Sequence, residues 1–260
     1  MHRLRPYEDL AIAWRALRGR DVRVREVACV GAPRTLLLAE TGRTEAPTVS
    51  ISAGVHGDEP AAPWALLSLL RDGLLDRRFA YRIWPCLNPT GYLAATRANA
   101  EGDDINRSFS RGGTTPEARA VITANRDRRF VLALDLHEDF EAHGAYLYEP
   151  LGPGAAPCYA APIVRALDEA GLPVQVLDHS FDLGTPPMDP PPYRLERGAV
   201  IVDAKTEMRL FSGLPASLLH FRRGAQPVTI ESPRPRSWDE RIAIHRVAVV
   251  TALAVLAASR

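Results

Sequence analysis

The sequence has 260 residues, of which 46% are hydrophobic and 24% are charged, values typical of a soluble globular protein with a sizeable core. This length favours one domain over two, and we predict a single domain that spans residues 1–260. The formal net charge of +1 argues against binding to nucleic acid or to an anionic membrane surface.

Cysteine usage and apolar runs indicate a cytoplasmic protein. Cys29, Cys86 and Cys158 form neither a CxxC pair nor an even-numbered disulfide framework, as expected in a reducing compartment. The N-terminal segment lacks the uninterrupted apolar region of a signal peptide. The longest apolar run, residues 247–258, is shorter than the roughly 20 residues that cross a bilayer. We therefore predict that this run is part of a buried C-terminal helix.

Short apolar runs rich in β-branched residues alternate with helical patterns along the chain. The predicted strands are, in chain order, 34–41, 48–55, 81–88, 130–137, 145–150, 174–179, 199–204 and 226–232. The predicted helices are 60–73, 115–128, 159–171 and 237–258, the last with Ser237 as its N-cap and Glu240 three residues later. Several strands are apolar almost throughout, as in a sheet that is covered on both faces. The pattern predicts an α/β fold, a single-domain α/β/α sandwich with a central mixed, mostly parallel sheet.

One stretch, residues 182–197, is rich in proline and has no periodicity. We predict a long surface loop there. Loops of this length often border binding sites, although a connection without functional consequence fits the sequence equally well.

The segment SAGVHGDEPAA, residues 52–62, places a histidine and a glutamate between a predicted strand and a predicted helix. Ligands bind at the carboxyl ends of strands in open α/β sheets. Imidazole nitrogen and carboxylate oxygen are both good zinc donors. Gly54 and Gly57 permit the sharp turn that would let His56 and Glu59 converge on one ion. The alternative is a capped helix start with solvated charges.

A catalytic zinc site needs a third protein ligand and an open position. His137 follows the apolar run FVLALDL at another predicted strand end, and two acids follow it, as for a ligand with orienting neighbours. A purely local cluster of His137, Glu138 and His143 is a less favoured alternative to the long-range set of His56, Glu59 and His137.

The loop TRANAEGDDINRSFS carries clustered arginines and asparagines. A guanidinium binds a carboxylate through two parallel hydrogen bonds, and an amide can add another. We predict that Asn106 and Arg107 bind the terminal carboxylate of a substrate and that Arg97 polarises its scissile carbonyl. The alternative is an ordinary polar surface loop.

Glu231 ends the apolar run PVTIE and is isolated from other acids in the sequence. A carboxyl group in poorly hydrated surroundings has a raised pKa and can act as a general base. The alternative is a solvent-facing carboxylate at a strand end.

These segments, in this order, resemble the zinc carboxypeptidase superfamily, which includes pancreatic-type and bacterial cell-wall carboxypeptidases and the succinylglutamate desuccinylase and aspartoacylase enzymes. The resemblance runs from about Thr48 to Pro233. It implies that His56, Glu59 and His137 bind one zinc ion per chain, that the fold is the carboxypeptidase-like α/β/α sandwich, and that zinc and Glu231 together activate water.

The same resemblance extends to the arginine-rich loop. The R…D-x-N-R-x-F segment of the superfamily matches Arg97, Asp104, Asn106, Arg107 and Phe109. The larger carboxypeptidases also have a mobile tyrosine over the bound terminal residue. Tyr193 is one candidate for that role in this sequence, and Tyr146 and Tyr148 are others.

Three functions fit these residues. The leading hypothesis is a metallocarboxypeptidase that acts on a short peptide. The second is a deacylase of N-acyl amino acids; such enzymes usually carry an additional C-terminal β domain, whereas here one helix follows Glu231, which favours the peptidase. The third is an inactive relative that binds peptide or metal, and it would predict a missing ligand or base.

Overall fold

The computed structural model describes residues 6–19, 21–110, 112–152, 155–156, 158–178, 193–203, 219 and 224–260. Within these residues the strands are β1 Val22–Val27, β2 Leu36–Thr41, β3 Thr48–Ala53, β4 Ala80–Trp84, β5 Leu132–Asp139, β6 Tyr146–Leu151, β7 Tyr193–Glu196, β8 Ala199–Asp203 and β9 Gln226–Pro233. The α-helices are α1 Tyr7–Arg15, α2 Ala61–Arg71, α3 Pro89–Ala94, α4 Pro116–Ala124, α5 Ala160–Glu169 and α6 Trp238–Ala258, and Ile105–Arg107 forms a 3₁₀ turn.

The strands form one mixed sheet in the order β1-β2-β4-β3-β5-β9-β6-β8-β7. The central strands β4, β3, β5 and β9 run parallel to one another. Antiparallel pairing occurs toward the edges, between β1 and β2, β2 and β4, β6 and β9, and β7 and β8. The predicted mixed sheet with a parallel centre is confirmed. Because β3, β5 and β9 run parallel, their carboxyl ends lie at the same edge of the sheet. The predicted ligands and base lie at this edge.

Helices cover both faces of this sheet, as the alternation along β2 shows. Leu37 and Ala39 belong to a core cluster that includes residues of α2, α5 and α6. Leu36 and Leu38, which point to the opposite face, belong to a second cluster with residues of α4. The predicted α/β/α sandwich is therefore confirmed.

Helix α6 begins at the predicted cap. The Ser237 hydroxyl accepts the Glu240 N–H, and the Glu240 carboxylate accepts the Ser237 N–H, so the two residues form a capping box. Among the described residues, α6 is the one helix long and apolar enough to cross a membrane by length and composition. It packs against α2 and α5 and buries one face in the core, as predicted for the C-terminal run.

Several elements differ from the sequence prediction. Within the described part of 174–179, Val174 makes only an isolated bridge to Ala145 rather than a strand. Residues 193–196 of the predicted loop instead form β7, which pairs with β8 across a tight turn that includes Gly198 at φ +69°. Arg197 lies in that turn, and the remaining residues of the predicted loop, 182–192, lie outside the described residues. Strand β1 and helices α1 and α3 were not predicted.

Candidate metal centre and active site

The turn that carries His56 and Glu59 joins the end of β3 to the start of α2. Gly54 has φ +61°, a backbone conformation that favours glycine. At Gly57, a Cβ would lie 1.9 Å from the Gly91 carbonyl carbon, so α3 leaves room for glycine alone. The turn therefore packs directly against α3 and presents both polar side chains at the carboxyl edge of the sheet.

His137 reaches the same edge because β5 runs parallel to β3, with Ala53 in register with Leu136. The Nδ1 atom of His56 lies 2.5 Å from Glu59 Oε1, and Nδ1 of His137 lies 3.0 Å from Glu59 Oε2. One ligand atom from each of the three side chains lies within 4.8 Å of the others, and all three residues are buried. Two imidazoles and a carboxylate with an open fourth position are the donor set of a catalytic zinc site, so these residues fit the ion that the sequence predicts.

The local alternative, a cluster of His137, Glu138 and His143, does not form. The Glu138 carboxylate accepts the Ala61 N–H at 2.6 Å and forms an ion pair with Arg241. The side chain of His143 is exposed.

The charges of the three candidate ligands stabilise one another. Burial alone raises the pKa of Glu59, but the adjacent His56 and His137 outweigh it and hold that pKa well below its usual range. Burial lowers the pKa values of both histidines, yet the Glu59 carboxylate raises them above the ordinary value. The pocket therefore attracts positive charge, and a bound cation would take the place of protons on the imidazoles.

A second set of contacts orients the ligands. His137 Nε2 lies 3.2 Å from Asp135 Oδ2, and the Ser52 hydroxyl donates to Asp135 Oδ1 at 2.8 Å. The Glu138 N–H donates to Glu59 Oε2 at 3.1 Å. Such outer contacts fix the tautomer and ring orientation of ligating histidines.

Arg97 lies against the candidate ligands. Its guanidinium donates twice to Asp104 Oδ2, at 3.2 and 3.1 Å, and its Nη1 lies 3.3 Å from His56 Nδ1. Asp104 Oδ1 also lies 3.4 Å from His56 Nε2. Burial raises the pKa of Asp104, but His56, Arg97 and Arg107 together hold it well below its usual range. Asp104 is thus an ionised strut that holds Arg97 beside His56.

Asn106 and Arg107 lie in the 3₁₀ turn that Asp104 caps by accepting the Asn106 N–H at 2.8 Å. Asn106 is buried, and Arg107 is partly buried with Nη1 donating to the Asn106 carbonyl at 3.1 Å. The Arg107 charge contributes to the low pKa of Asp104. The loop thus places the Arg97 guanidinium in contact with the Asp104 carboxylate, and it places Arg107 close enough for its charge to lower the pKa of the same carboxyl group.

Glu231 is the register partner of His137, on the adjacent strand β9. The residue is partly exposed, yet the surrounding protein desolvates its carboxyl group. Desolvation raises its pKa to about 8; the Glu59 and Asp139 charges add to this, whereas the His137 charge opposes it. Such a carboxyl group can take up and release a proton near neutral pH.

The candidate tyrosines occupy different positions. Tyr193 lies on the edge strand β7, separated from β9 by β6 and β8, and packs against the cluster of Ala142, Tyr146, Leu177 and Val200. Tyr146 is nearer: it is the register partner of Glu231, and its buried hydroxyl donates to Asp139 Oδ2 at 2.5 Å. Tyr148 packs edge-on against Tyr146, with ring centroids 5.6 Å apart.

Three basic residues near the site were not predicted. Arg234 donates to the Asp58 carbonyl and stacks over Phe140, with 4.6 Å between its guanidinium carbon and the ring centroid. Arg241 pairs with Glu138, and His245 is fully buried one turn further along α6. The sequence does contain one signal for Arg241 and His245: they lie four residues apart and interrupt the apolar face of a helix predicted to be buried.

Comparison with known proteins identifies the family of the chain. Residues 45–185, more than half of the chain, match the family described as the succinylglutamate desuccinylase/aspartoacylase catalytic domain. The chain is 32% identical over 117 residues to carboxypeptidase SOL1 of Arabidopsis thaliana, covering 37% of this chain and 24% of that protein. The chain thus spans about a quarter of the length of this curated relative.

Solved structures share the fold. A candidate metallopeptidase from Shewanella denitrificans OS217 superposes with a TM-score of 0.71 and 21% identity, over 95% of this chain and 88% of that chain. A metallo-carboxypeptidase from Burkholderia cenocepacia superposes with a TM-score of 0.69 and 17% identity, over 98% of this chain and 69% of that chain. On the family match and the shared fold, the chain belongs to the succinylglutamate desuccinylase/aspartoacylase catalytic-domain family, within the zinc carboxypeptidase-like superfamily of hydrolases.

Proposed function

We propose that the protein is a zinc-dependent metallocarboxypeptidase that hydrolyses the C-terminal peptide bond of a short peptide. The observation that carries this proposal is the position of Arg97, whose Nη1 lies 3.3 Å from His56 Nδ1 while Asp104 holds the rest of the guanidinium. A fixed positive charge beside the candidate ligands suits a substrate whose carbonyl becomes negative during hydrolysis.

The residues that would hold the ion are His56, Glu59 and His137, since their donor atoms converge in a buried pocket around the ionised Glu59 carboxylate. A zinc ion bound there supplies Lewis acidity, which lowers the pKa of water and polarises a carbonyl oxygen. A divalent cation would also compensate the buried Glu59 carboxylate.

Glu231 is the proposed general base. Its position beside His137 and its pKa of about 8 suit a group that removes a proton from water and then delivers it to the departing amine nitrogen. Because the same carboxyl group performs both steps, it is regenerated at the end of each turnover.

Arg97, Asn106 and Arg107 are the proposed groups that bind substrate. In this proposal Arg97 stabilises the charge that develops on the carbonyl oxygen, and Asn106 with Arg107 binds the terminal carboxylate. Asp104 supports this division of roles, since its carboxylate accepts two hydrogen bonds from Arg97 and also accepts the N–H of Asn106, which lies next to Arg107.

The second candidate is a deacylase of N-acyl amino acids, and the family match over residues 45–185 favours it. Both reactions release an amino acid with a free carboxylate, so the same metal ligands, base and arginines serve either one. The two differ in the acyl side of the amide bond, which is a peptide in one reaction and a small acid in the other.

The test has two arms. Elemental analysis of purified protein should give one zinc per chain, and His137→Ala should lose it, whereas the control His143→Ala, which replaces an exposed side chain, should retain it. Hydrolysis should then be compared across di- and tripeptides with free carboxylates and across N-acetyl- and N-succinyl-amino acids. Faster hydrolysis of peptides supports the carboxypeptidase, and faster hydrolysis of acyl amino acids replaces it with the deacylase. Full zinc retention in His137→Ala would remove the metal assignment.

A further inference from the structure

A buried ion pair behind the candidate ligands joins three elements of the fold. Glu138 on β5 pairs with Arg241 on α6, and the side chains are 0% and 7% exposed. We infer that this pair is a positioning element that sets the distance between the metal ligands Glu59 and His137. The inference rests on the proposed zinc site.

Glu138 holds the Glu59 turn at two points. It directly follows the ligand His137 on β5, and its N–H donates to Glu59 Oε2 at 3.1 Å. Its carboxylate Oε1 accepts the Ala61 N–H at 2.6 Å, at the first residue of α2 and two residues after Glu59. One residue of β5 therefore fixes both the carboxylate of Glu59 and the backbone that carries it.

Arg241 makes this arrangement possible. An ionised carboxylate in the interior needs a counter-charge, because its desolvation is costly. Arg241 provides that charge from α6, and its guanidinium carbon lies 5.3 Å from the centroid of the Trp238 ring. The ion pair connects β5 to α6, and the Glu138–Ala61 hydrogen bond connects β5 to α2, so the three elements meet beside the buried ligands.

Stability alone is a weak explanation for the pair. Replacing a buried ion pair with apolar side chains of similar volume is often neutral or stabilising, whereas removing one partner is strongly destabilising. Arg241 Nε is also buried without a hydrogen-bond partner among the described residues, a further cost. A role in ligand spacing accounts for the pair, because a shift of the Glu59 turn would separate donor atoms that now lie within 4.8 Å.

Two double variants separate positioning from stability. Glu138→Leu/Arg241→Met removes both charges and the acceptor for the Ala61 N–H. Glu138→Gln/Arg241→Met removes both charges but keeps a side-chain oxygen for that N–H. The matched control is Glu149→Gln, since Glu149 is a buried strand carboxylate that accepts N–H groups of Cys158, Tyr159 and Ala160 at the start of another helix, α5.

The readouts are the free energy of unfolding of the metal-free protein, the zinc dissociation constant from competition with a chromophoric chelator, and the visible absorption spectrum of the cobalt-substituted protein. We expect Glu138→Leu/Arg241→Met to remain folded with a modest loss of stability, because the buried Ala61 N–H loses its acceptor, to bind zinc about 10- to 100-fold more weakly, and to show a changed cobalt spectrum. Glu138→Gln/Arg241→Met should regain most of the zinc affinity, and Glu149→Gln should leave zinc affinity and the cobalt spectrum unchanged.

The outcomes distinguish this inference from the proposed function. Wild-type protein that binds no zinc would overturn the proposed metal site and the inference with it. Normal zinc binding by the wild type, together with unchanged affinity and cobalt spectrum in the folded Leu/Met variant, would overturn the inference alone. An equal loss of zinc affinity in Glu149→Gln would also overturn it, because the effect would then follow from general destabilisation.

Discussion

His137 and Glu231 are register partners on the adjacent parallel strands β5 and β9. Residues paired in this way point to the same face of a sheet, so the third candidate ligand and the candidate base lie side by side. The pairing also explains their electrostatics: Glu231 contributes to the raised pKa of His137, and the His137 charge opposes the increase in the pKa of Glu231. A change in the charge of one residue should therefore shift the pKa of the other.

The first prediction concerns the base. Glu231→Gln keeps the shape of the side chain but removes the proton acceptor, so kcat should fall by about 10²-fold or more, the usual scale for a positioned acid–base group. Zinc content should be retained, because His56, Glu59 and His137 are unchanged. Steady-state kinetics and elemental analysis on the same preparation measure both quantities.

The control for Glu231 is Glu141→Gln, which alters an exposed carboxylate in the turn after β5. It should leave kcat near the wild-type value. A folded Glu231→Gln protein with near-normal kcat would exclude the role of this residue as the base.

Features of the fold and the site that depend on short sequence patterns could be predicted from the sequence. The His56–Glu59 pair, the Ser237 capping box and the apolar central strands have short-range patterns, and all of these features were predicted. Strand β1 was missed because its alternating, charge-rich sequence VRVREV is only partly buried at the edge of the sheet. Helix α3 was missed because it is a single short segment with a glycine in it.

The long-range contacts behind the ligands could not be predicted from the sequence. Glu138 and Arg241 are separated by 103 positions, and Asp58 and Arg234 by 176. Nothing in the local sequence identifies which residue each arginine contacts, since the contacts depend on how α6 and the end of β9 pack against β5 and α2. The acids that follow His137 indicated an orienting role, but not their partners.

The second prediction concerns the carboxylate anchor. If Arg107 binds the terminal carboxylate, Arg107→Ala should raise KM about ten- to a hundredfold, because a charge-assisted hydrogen bond contributes roughly 1.5–3 kcal/mol. Arg107→Lys should recover only part of this loss, since an ammonium group cannot form the paired hydrogen bonds of a guanidinium. Arg119→Ala, at an exposed arginine of α4, is the control and should leave KM unchanged.

Substrate chemistry tests the same anchor without a mutation. A peptide with an amidated C-terminus lacks the negative charge that Arg107 and Asn106 are expected to bind, so its cleavage should be nearly abolished. Equal cleavage of amidated and free-acid peptides would show that the enzyme does not select a terminal carboxylate. The carboxypeptidase proposal would then be wrong.

The third prediction concerns the strut that holds Arg97. Asp104→Asn removes the charge that two guanidinium nitrogens contact at 3.1 and 3.2 Å, so Arg97 should lose its fixed position beside His56. We expect kcat to fall in both Asp104→Asn and Arg97→Ala, because the role proposed for Arg97 is to stabilise the charge that develops on the carbonyl. The double variant should be little worse than Arg97→Ala alone, since both changes remove the same interaction.

Asp103→Asn is the matched control for Asp104, because Asp103 is the exposed neighbouring acid in the same loop. Its kcat should equal that of the wild type. Fully additive losses in the Asp104/Arg97 double variant would show that Asp104 acts independently of Arg97. The proposal that Asp104 holds Arg97 in position would then be wrong.

The last prediction concerns the buried histidine of α6. His245 is fully buried, and both ring nitrogens lack a hydrogen-bond partner among the described residues. Burial is the largest cause that lowers its pKa, from 6.5 to about 3; the charges of His137 and Arg241 lower it further, and Glu59 acts in the opposite direction. The residue is therefore neutral in the folded protein at pH values where the unfolded chain protonates it.

This difference should make the fold sensitive to acid. Between pH 6.5 and about pH 3 the unfolded state binds one more proton at His245 than the folded state, so the free energy of unfolding decreases as the pH falls through this range. His245→Leu removes the effect, and also two unsatisfied nitrogens, so the variant should equal or exceed wild-type stability at pH 8 and exceed it by roughly 2 kcal/mol more at pH 5. Urea unfolding of the metal-free proteins at both pH values measures the difference, with His143→Leu, at an exposed histidine, as the control. A constant difference between wild type and His245→Leu at the two pH values would show that His245 is protonated equally in the folded and unfolded states.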